Sequence, residues 1–369
     1  MPERRISKTP AQWYADLFAK GARKVPASGK GSGVAAATND RKAGWTLLAD
    51  IGGTNARFAL TQGAEVGAIT HVRAADFATV RDAMADFLAR HPKAESIKAA
   101  VLAVAGPVTN NRCVMTNSPW VIDGAELRQA FGYDSVQLLN DFEALAWSLP
   151  DLKAADLFAL GAHAHTVSEP GPEPRQESSQ EPRLVLGPGT GFGVSCLVER
   201  NGVRLPIITE AGHATLPAES EREAQVIHQM RQRFGHVSIE QGALSGSGLR
   251  HLYEALADIE GTQAPKRDAA AITKAAIEGS CDLSRATLDM FCALLGSVAG
   301  NLAMTFGARG GVYIAGGIVP RFPDFLATSD FRRRFESKGR FQDYLRGIPT
   351  SIIVRPDASF VGLRAFCNR

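Results

Sequence analysis

The chain has 369 residues, of which 45% are hydrophobic and 21% are charged, as in ordinary globular proteins. That length predicts two domains or one large domain. The formal net charge is +3, from 41 basic and 38 acidic residues. Because the two charge types are so nearly balanced, the sequence does not indicate a nucleic-acid-binding protein.

Cysteine usage and hydropathy indicate a protein of the cytoplasm. Five cysteines without a CxxC pair argue against a disulfide framework or a structural zinc site, and they are typical of a reducing compartment. No N-terminal apolar run resembles a signal peptide. The uncharged and apolar stretch 290–306 is shorter than the roughly 20 residues of a membrane span. We therefore predict a buried helix there, a cytoplasmic location and no membrane partner.

Residues 1–44 are predicted to be a flexible basic extension. They carry nine Lys or Arg residues against three acidic ones, and residues 27–37 have the Gly/Ser/Ala-rich composition of a flexible linker. Residues 10–24 can form a short basic amphipathic helix. Two interpretations stay open, a targeting or membrane-surface segment and a disordered tail.

From Trp45 onward the chain is predicted to alternate strands with helices, which indicates an α/β fold. Strands at 45–49 and 58–60 flank a glycine turn, and the same plan recurs at 184–198, which favours two lobes of related design. Residues 165–183, rich in Pro, Glu, Gln and Ser, are predicted to be a solvated surface loop. The other predicted strands are 99–105, 136–139, 312–315 and 351–354, and the predicted helices are 80–90, 124–131, 142–149, 222–234, 248–257, 286–306 and 358–366.

Three glycine-rich turns at strand ends indicate a nucleotide site. The P-loop and Rossmann signatures are absent. In the turn 50–54, glycines allow backbone N–H groups to approach phosphate oxygens, and Asp50 can hold Mg²⁺ through water. The turn 187–193 offers Thr190 in a similar place, and the pair 316–317 can lie against an adenosine. One such turn alone is more often only a turn, but the three together favour ATP binding.

A polar pair follows the strand 136–139 and precedes the next helix. Ligands of open α/β sheets bind at the carboxyl ends of strands, so Asp141 stands where a general base is expected. Asn140 and Asp141 are also common N-cap residues, and capping is the alternative interpretation.

Further polar residues suit the recognition of a sugar. Glu210, His213 and Glu240 are able to form paired hydrogen bonds with hydroxyl groups, and Asn117 is a similar candidate. Each of them is also explained as a surface residue, a helix cap or a turn residue. No further metal ligands lie near His213 in the sequence, which argues against a metal centre there.

Several segments together resemble the bacterial glucokinase family, within the superfamily of actin, sugar kinases and Hsp70. The segments are LLADIGGTNARFAL (47–60), MTNSPW (115–120), LLNDFEALA (138–146), GPGTGFGV (187–194), TEAGH (209–213), FGHVSIEQGALSGSGL (234–249) and GGVYIAGGIVPRF (310–322). The resemblance implies a two-lobed, actin-like ATPase fold of the ribonuclease H type. A small α/β domain would comprise 45–150 with 352–369, and a large one 151–351.

The resemblance also implies an activity and a set of site residues. A glucokinase transfers the γ-phosphoryl group of ATP, with Mg²⁺, to the 6-hydroxyl of D-glucose, and we expect a homodimer. Asp141 would be the catalytic base, and the glucose ligands would be Asn117, Asn140, Asp141, Glu210, His213 and Glu240. With the two later turns, the predicted ATP-binding residues are Ala49, Asp50, Ile51, Gly52, Gly53, Thr54, Gly189, Thr190, Gly191, Gly316 and Gly317.

Two departures from the family pattern bear on the sugar site. Ala211 replaces the first glycine of Glu-Gly-Gly-His, and Gln241-Gly242 replaces Arg-Val after Glu240. The alternatives are a kinase for another hexose or amino sugar, a sugar-sensing regulator on the same fold, and a sugar-independent ATPase.

Overall fold

The computed structural model describes residues 44–115, 118–161 and 180–369. Asn117, residues 1–43 and most of the predicted loop 165–183 lie outside these ranges. Arg183, which the sequence prediction places in that loop, is the first residue of a strand. The predicted mixed α/β class is confirmed.

The first sheet is built around the first glycine hairpin. Its strands are β1 (Trp45–Ile51), β2 (Asn55–Gln62), β3 (Glu65–Val66), β4 (Thr70–Arg73) and β5 (Ile97–Val104), and, after a separate ribbon of β6 (Arg112–Val114) and β7 (Val121–Asp123), β8 (Ser135–Asn140). The order is β3-β2-β1-β5-β8, with β4 also paired to β2. β1 runs antiparallel to β2 and parallel to β5, which is parallel to β8. The nearly continuous burial along β5 is typical of a parallel strand covered on both faces.

The second sheet repeats this plan. Its strands are β9 (Leu157–Leu160), β10 (Arg183–Pro188), β11 (Phe192–Arg200), β12 (Val203–Thr209), β13 (Val312–Ile314) and β14 (Thr350–Ile353), in the order β12-β11-β10-β13-β14-β9. β10 and β11 form an antiparallel hairpin, and β10, β13 and β14 are parallel. In each sheet a glycine hairpin is thus followed by two parallel strands, which confirms the repeat read from the sequence. The domain boundaries stay a prediction.

Helices connect and cover the two sheets. They are α1 (Val80–Ala89), α2 (Gly124–Phe131), α3 (Asp141–Ser148), α4 (Glu221–Phe234), α5 (Ile239–Gly242), α6 (Gly246–Glu260), α7 (Ala269–Ile277), α8 (Asp282–Phe306), α9 (Pro323–Thr328), α10 (Phe331–Glu336), α11 (Gln342–Arg346) and α12 (Ala358–Cys367). Side chains of Thr79, Asp123 and Ser220 cap α1, α2 and α4 by accepting hydrogen bonds from first-turn amides. The helices predicted after Trp45 are all present, but α8 begins four residues earlier than predicted. The possible helix at residues 10–24 lies outside the described residues.

The apolar stretch 290–306 belongs to a core helix. Within the described ranges, α8 is the one helix long and apolar enough to cross a membrane by length and composition, and 72% of its most apolar window is buried inside the protein. Phe291, Leu294 and Leu295 of α8 are buried in the core beside the second sheet. The predicted buried helix is therefore confirmed, and packing against other helices explains its apolar sequence.

The C-terminal helix returns to the first sheet. Phe360 and Leu363 of α12 are buried in a small core with Leu48 of β1 and Val101 of β5. Gly362 permits a close approach to α3, since a Cβ atom there would lie 1.7 Å from the carbonyl oxygen of Ala144. The chain thus ends by covering the sheet with which its described part begins.

A buried ion pair links three helices on the side of the second sheet. Arg334 of α10 donates to Glu223 of α4 (2.9 Å) and to the hydroxyl of Ser297 in α8 (3.0 Å). The same Glu223 oxygen accepts the backbone N–H groups of Glu219 (2.7 Å) and Ser220 (3.1 Å). Buried charges are tolerated when they are paired and hydrogen-bonded in this way.

Removing one partner is expected to be costly. Glu223→Ala should lower the free energy of unfolding by roughly 3 kcal/mol, because Arg334 would keep only the part-exposed Glu219 (3.3 Å) as an ionic partner and two backbone N–H groups would lose their acceptor. Chemical denaturation followed by circular dichroism measures the change. The control is Glu254→Ala, which breaks an exposed pair with Arg233 and should cost no more than about 1 kcal/mol. Equal losses in the two variants would contradict this account.

Candidate active site

Asn140, rather than Asp141, caps the helix at the centre of the site. The Asn140 side-chain oxygen accepts the N–H groups of Phe142 (2.9 Å) and Glu143 (3.3 Å), and its amide donates to the carbonyl of Gly106 (3.1 Å). Asp141 is the first residue of α3, whereas the sequence prediction started the helix at Phe142. The capping interpretation therefore holds for Asn140, while Asp141 accepts the N–H of Phe142 (3.0 Å) with one carboxylate oxygen and has its other oxygen for chemistry.

Asp141 lies in an environment that disfavours its charge. Burial, followed by the negative charge of Asp50, raises the pKa of Asp141 to about 7. The backbone N–H groups of Phe142 and Asp141 partly offset this rise, and the charge of Glu210 adds to it. The carboxyl group therefore exchanges its proton near neutral pH, as a general base should.

Asp50, at the end of β1, is held by two partners. Arg57 stands opposite Asp50 in the register of the first hairpin and forms an ion pair with it. The hydroxyl of Ser359 in α12 donates to the same carboxylate oxygen. Arg57 also donates to Asp357 (3.1 Å) and to the carbonyl of Pro356 (3.1 Å). These contacts attach the C-terminal helix to the hairpin.

The sequence prediction missed Arg57, Asp357 and Ser359. The role of Arg57 could have been predicted from the sequence, because a hairpin that turns at residues 52–54 pairs residue 50 with residue 57. Opposite charges favour such a cross-strand pair. No local signal marks Asp357 or Ser359, which follow about 300 residues later.

The first turn presents backbone rather than side chains. Ala49 and Ile51 are fully buried in the core, so only their backbone groups are available to a ligand. The N–H of Gly52 donates to the carbonyl of Asn55 (2.9 Å) and closes the turn. Within the described residues the N–H groups of Gly53 and Thr54 have no such partner, and they are the ones free to meet a phosphate.

The two later turns lie side by side. They follow β10 and β13, which are parallel neighbours, so their carboxyl ends meet. Gly316 has a φ of 89°, and a Cβ atom there would lie 2.4 Å from the carbonyl oxygen of Pro188. Glycine is required at this contact on both counts. In the turn of residues 189–191, the N–H of Gly189 donates to the carbonyl of Gly191 (2.8 Å) and Thr190 is exposed.

A cavity of about 390 Å³ is lined by residues that belong to or follow strands of both sheets. One wall holds Asp50, Arg57 and Asp141, and another holds Gly316 and Gly317. Four predicted site residues are thus brought to one cleft. A second cavity of about 310 Å³ lies beside the segment that follows the pair 316–317, and its lining residues are Ala269, Ala270, Thr273, Lys274, Ile277, Glu278, Ile318 and Arg321.

Packing of one aromatic ring places Asp141 beside the second hairpin. A Cβ atom on Gly193 would lie 1.9 Å from the ring of Phe142, so the ring sits directly on the glycine backbone. Phe142 follows Asp141 in the chain. The contact therefore fixes the start of α3 against β11.

The predicted sugar ligands lie around the second hairpin. Glu210 precedes a short 3₁₀ turn (Ala211–His213) that ends at His213. The distance between the Glu210 carboxylate and the His213 ring is 3.9 Å, and both side chains are 64% exposed. Glu240 accepts the N–H of Phe192 (2.7 Å). The structure brings Glu210 close enough to Asp141 to influence its charge. Asn117 lies outside the described residues.

The two departures from the family pattern are accommodated. Ala211 packs its methyl group against the core of the second sheet, and it is not among the described residues with positive φ. Gly242 fits because a Cβ atom there would lie 2.6 Å from Val237 and 2.7 Å from Leu216. Glu210 precedes the 3₁₀ turn that holds Ala211, and Glu240 lies in α5 with Gly242.

Comparisons with known proteins agree with these features. The family model for glucokinases matches residues 47–369. A glucokinase of Paramagnetospirillum magneticum is 44% identical over 320 residues, which cover 86% of this chain and 95% of that protein. The chain belongs to the glucokinase family. The part that the glucokinase model matches contains every site residue predicted from the sequence.

Solved glucokinase structures have the same fold. The crystal structure of a glucokinase from an Antarctic psychrotroph is 34% identical, with a TM-score of 0.76, and the match covers 88% of this chain and 98% of that one. A glucokinase from Balamuthia mandrillaris, solved in complex with glucose, is 20% identical with a TM-score of 0.70, covering 90% and 95%. At that identity the similarity shows the fold alone.

The raised pKa of Asp141 predicts a pH-dependent stability. The unfolded carboxyl loses its proton near pH 3.8 but the folded one keeps it up to about pH 7. Its contribution to stability is therefore complete below pH 3.8 and is lost as the pH rises through 7. Relative to the wild type, Asp141→Asn should gain stability between about pH 4 and pH 7 and keep a constant advantage above pH 7.

Denaturant unfolding of both proteins from pH 4 to pH 8.5 measures this difference. Asp258→Asn, which changes an exposed carboxylate of α6, is the control for replacing a carboxyl group by an amide at the surface. A difference between Asp141→Asn and the wild type that stays flat with pH would exclude a raised pKa.

Proposed function

We propose that this protein transfers the γ-phosphoryl group of ATP to the 6-hydroxyl of D-glucose, giving glucose 6-phosphate and ADP. The observation that carries the proposal is the position of Asp141, a carboxyl group with a pKa of about 7 in a cleft whose other wall is the glycine pair 316–317. The names of the relatives support glucose as the sugar. The repeated hairpin sheets support a two-lobed, actin-like ATPase fold.

Glucose is proposed to bind at the end of the cleft formed by the second hairpin. Glu210, His213 and Glu240 offer carboxylate and imidazole groups to its hydroxyls. Asn140 has less to offer than the sequence suggested, because its oxygen is used in the helix cap and one amide hydrogen is used by Gly106. Its second amide hydrogen is the group left for a sugar, and Asn117 completes the proposed set.

Asp141 is proposed to accept the proton of the 6-hydroxyl as that oxygen attacks the γ-phosphorus. In a loose transition state this proton leaves late, so a carboxylate with a pKa near 7 is basic enough. Closure of the cleft around both substrates would keep water away from the reacting phosphoryl group. Free N–H groups of the first turn, at Gly53 and Thr54, are placed to stabilise negative charge on that group.

ATP is proposed to bind along the glycine turns. The triphosphate would face the turn 50–54 and the turn 189–191, and the nucleoside would enter the 310 Å³ cavity between α7 and the segment 318–321. Mg²⁺ arrives with the triphosphate as part of the substrate. One oxygen of Asp50 is taken by Arg57 and Ser359, so its other oxygen is the one we assign to the hydrated ion.

The setting of the enzyme is part of the proposal. All five cysteines are free, which suits a reducing cytoplasm. We further propose a homodimer that binds neither nucleic acid nor a membrane. The alternatives are a kinase for another hexose or amino sugar and a regulator that binds sugar without turnover.

A sugar panel separates these functions. ADP release would be measured with glucose, mannose, fructose, N-acetylglucosamine and no sugar, each with and without Mg²⁺. Glucose should give the highest kcat/KM. A higher value for another sugar would reassign the substrate, and glucose binding without any ADP release would favour the regulator.

Asp141→Asn tests the catalytic base. The variant should lower kcat by about 10²–10⁴-fold, because the amide cannot accept the proton, while glucose binding measured by calorimetry largely survives. Glu143→Gln is the matched control, since it alters the same helix start through the pair with the N–H of Asn140. It should keep kcat within about tenfold. Near-normal turnover by Asp141→Asn would refute the assignment.

Filling the second cavity tests the nucleoside site. Thr273→Trp places a large ring in the 310 Å³ cavity and should raise KM for ATP by at least about tenfold, a loss of roughly 1.4 kcal/mol. KM for glucose should change less than twofold. Ala271→Trp, at an exposed position of the same helix, is the control and should leave both constants unchanged. An unchanged KM for ATP in Thr273→Trp would place the nucleoside elsewhere.

A further inference from the structure

Cys281 lies at the N-cap of the longest described helix, α8 of 25 residues, and its side chain forms no capping hydrogen bond. The neighbouring helices differ. Ser220, Ser245 and Asp268 cap α4, α6 and α7 with side-chain oxygens that accept first-turn amides. The first turn of α8 therefore meets a sulfur atom where the other helices meet an oxygen.

Two buried hydroxyl groups face this sulfur. Tyr253 and Ser284 are 1% and 0% exposed, and within the described part of the chain neither hydroxyl has a regular hydrogen-bond partner. Ser284 lies close enough to Cys281 to lower the pKa of its thiol, and Cys281 in turn lies close enough to Tyr253 to add to the rise that burial causes in the pKa of the Tyr253 hydroxyl. Buried hydroxyl groups normally have partners, and such orphans mark places where an acceptor belongs. An additional oxygen on the sulfur would be that acceptor.

Cys281 also differs from the other cysteines in its electrostatics. The Ser284 hydroxyl and backbone N–H, together with the charge of Arg267, hold the pKa of the Cys281 thiol below its usual value. Burial raises the pKa of the other four, to about 11 for Cys196 and Cys367 and about 12 for Cys292, and upward for Cys113. Cys281 is also part-exposed, so a small reagent is able to reach it.

We propose that Cys281 is an oxidative modification site, at which hydrogen peroxide converts the thiol to a sulfenic acid held by Tyr253 and Ser284. The thiolate sulfur attacks one peroxide oxygen, the O–O bond breaks as the S–O bond forms, and hydroxide leaves and takes up a proton. Sulfur loses two electrons and peroxide gains them. The new oxygen then accepts hydrogen bonds from the two buried hydroxyl groups.

The test compares cysteines within one protein. The full chain is treated with hydrogen peroxide at pH 7 in the presence of dimedone, which traps sulfenic acids, and each cysteine peptide is quantified by mass spectrometry. Cys281 should be labelled at least about tenfold faster than Cys367, because burial raises the pKa of the Cys367 thiol whereas the pKa of the Cys281 thiol is lowered. Labelling of Cys367 at an equal or higher rate would overturn the proposal without recourse to any variant.

Matched variants test the role of the hydroxyl groups. Ser284→Ala should slow alkylation of Cys281 by iodoacetamide at pH 7 at least about threefold, because more of the thiol is protonated. Ser280→Ala removes a neighbouring hydroxyl that bonds to the carbonyl of Ala275, and it should change nothing. Tyr253→Phe should leave alkylation nearly unchanged but shorten the lifetime of the sulfenic acid. Unaltered chemistry in both Ser284→Ala and Tyr253→Phe would also overturn the proposal.

Discussion

The contact between Arg57 and Asp50 is the constraint on which the cleft depends. Two carboxylates, Asp50 and Asp141, share one partly buried space, and their like charges raise the free energy of the doubly ionised state. Arg57, on the opposite strand of the hairpin, forms an ion pair with Asp50. It thereby allows Asp50 to remain in the cleft while Asp141 keeps a pKa that is raised yet still near neutrality. The same guanidinium donates hydrogen bonds to Pro356 and Asp357, just before α12. The charge balance of the cleft and the attachment of α12 to the first sheet therefore depend on one side chain.

A division of roles at residues 140 and 141 makes the site chemically useful. A helix that starts at the end of a strand needs an acceptor for its first amides, and Asn140 supplies it. Asp141 is then held in place by the helix without being consumed by it. Phe142 completes the arrangement by packing on Gly193, which joins the start of the helix to the second sheet. Three consecutive residues thus serve capping, chemistry and packing.

Local features of this fold were readable from the sequence, and long-range ones were not. Glycine pairs between apolar runs marked both hairpins, and the apolar stretch marked α8, because these signals lie within a few residues of one another. The sequence could not tell whether Asn140 or Asp141 caps the helix, since both residue types perform that role equally well. Nor could it join Arg57 to Ser359, which are 302 residues apart.

Some elements escaped for a different reason. β12 carries Pro206, and its apolar Val203 and Leu205 lie on the exposed face, which is the reverse of the pattern expected of a half-buried strand. The short helices between residues 323 and 346 are each too brief to show a helical period. The sugar site was predicted as a set of residue types, but the burial that tunes Asp141 emerges only when the two sheets meet.

The position of α12 has a consequence for synthesis. The first sheet begins at Trp45, yet Ser359, whose hydroxyl donates to Asp50, follows that aspartate by 309 residues. While the ribosome is still making the intervening segment, the face of β1 and β5 that α12 covers has nothing to cover it. The nascent chain therefore carries an exposed apolar surface until translation is nearly finished, a state prone to aggregation. A chain released a dozen residues early would keep every side chain of the cleft that lies before α12 and still lack the helix that holds them together.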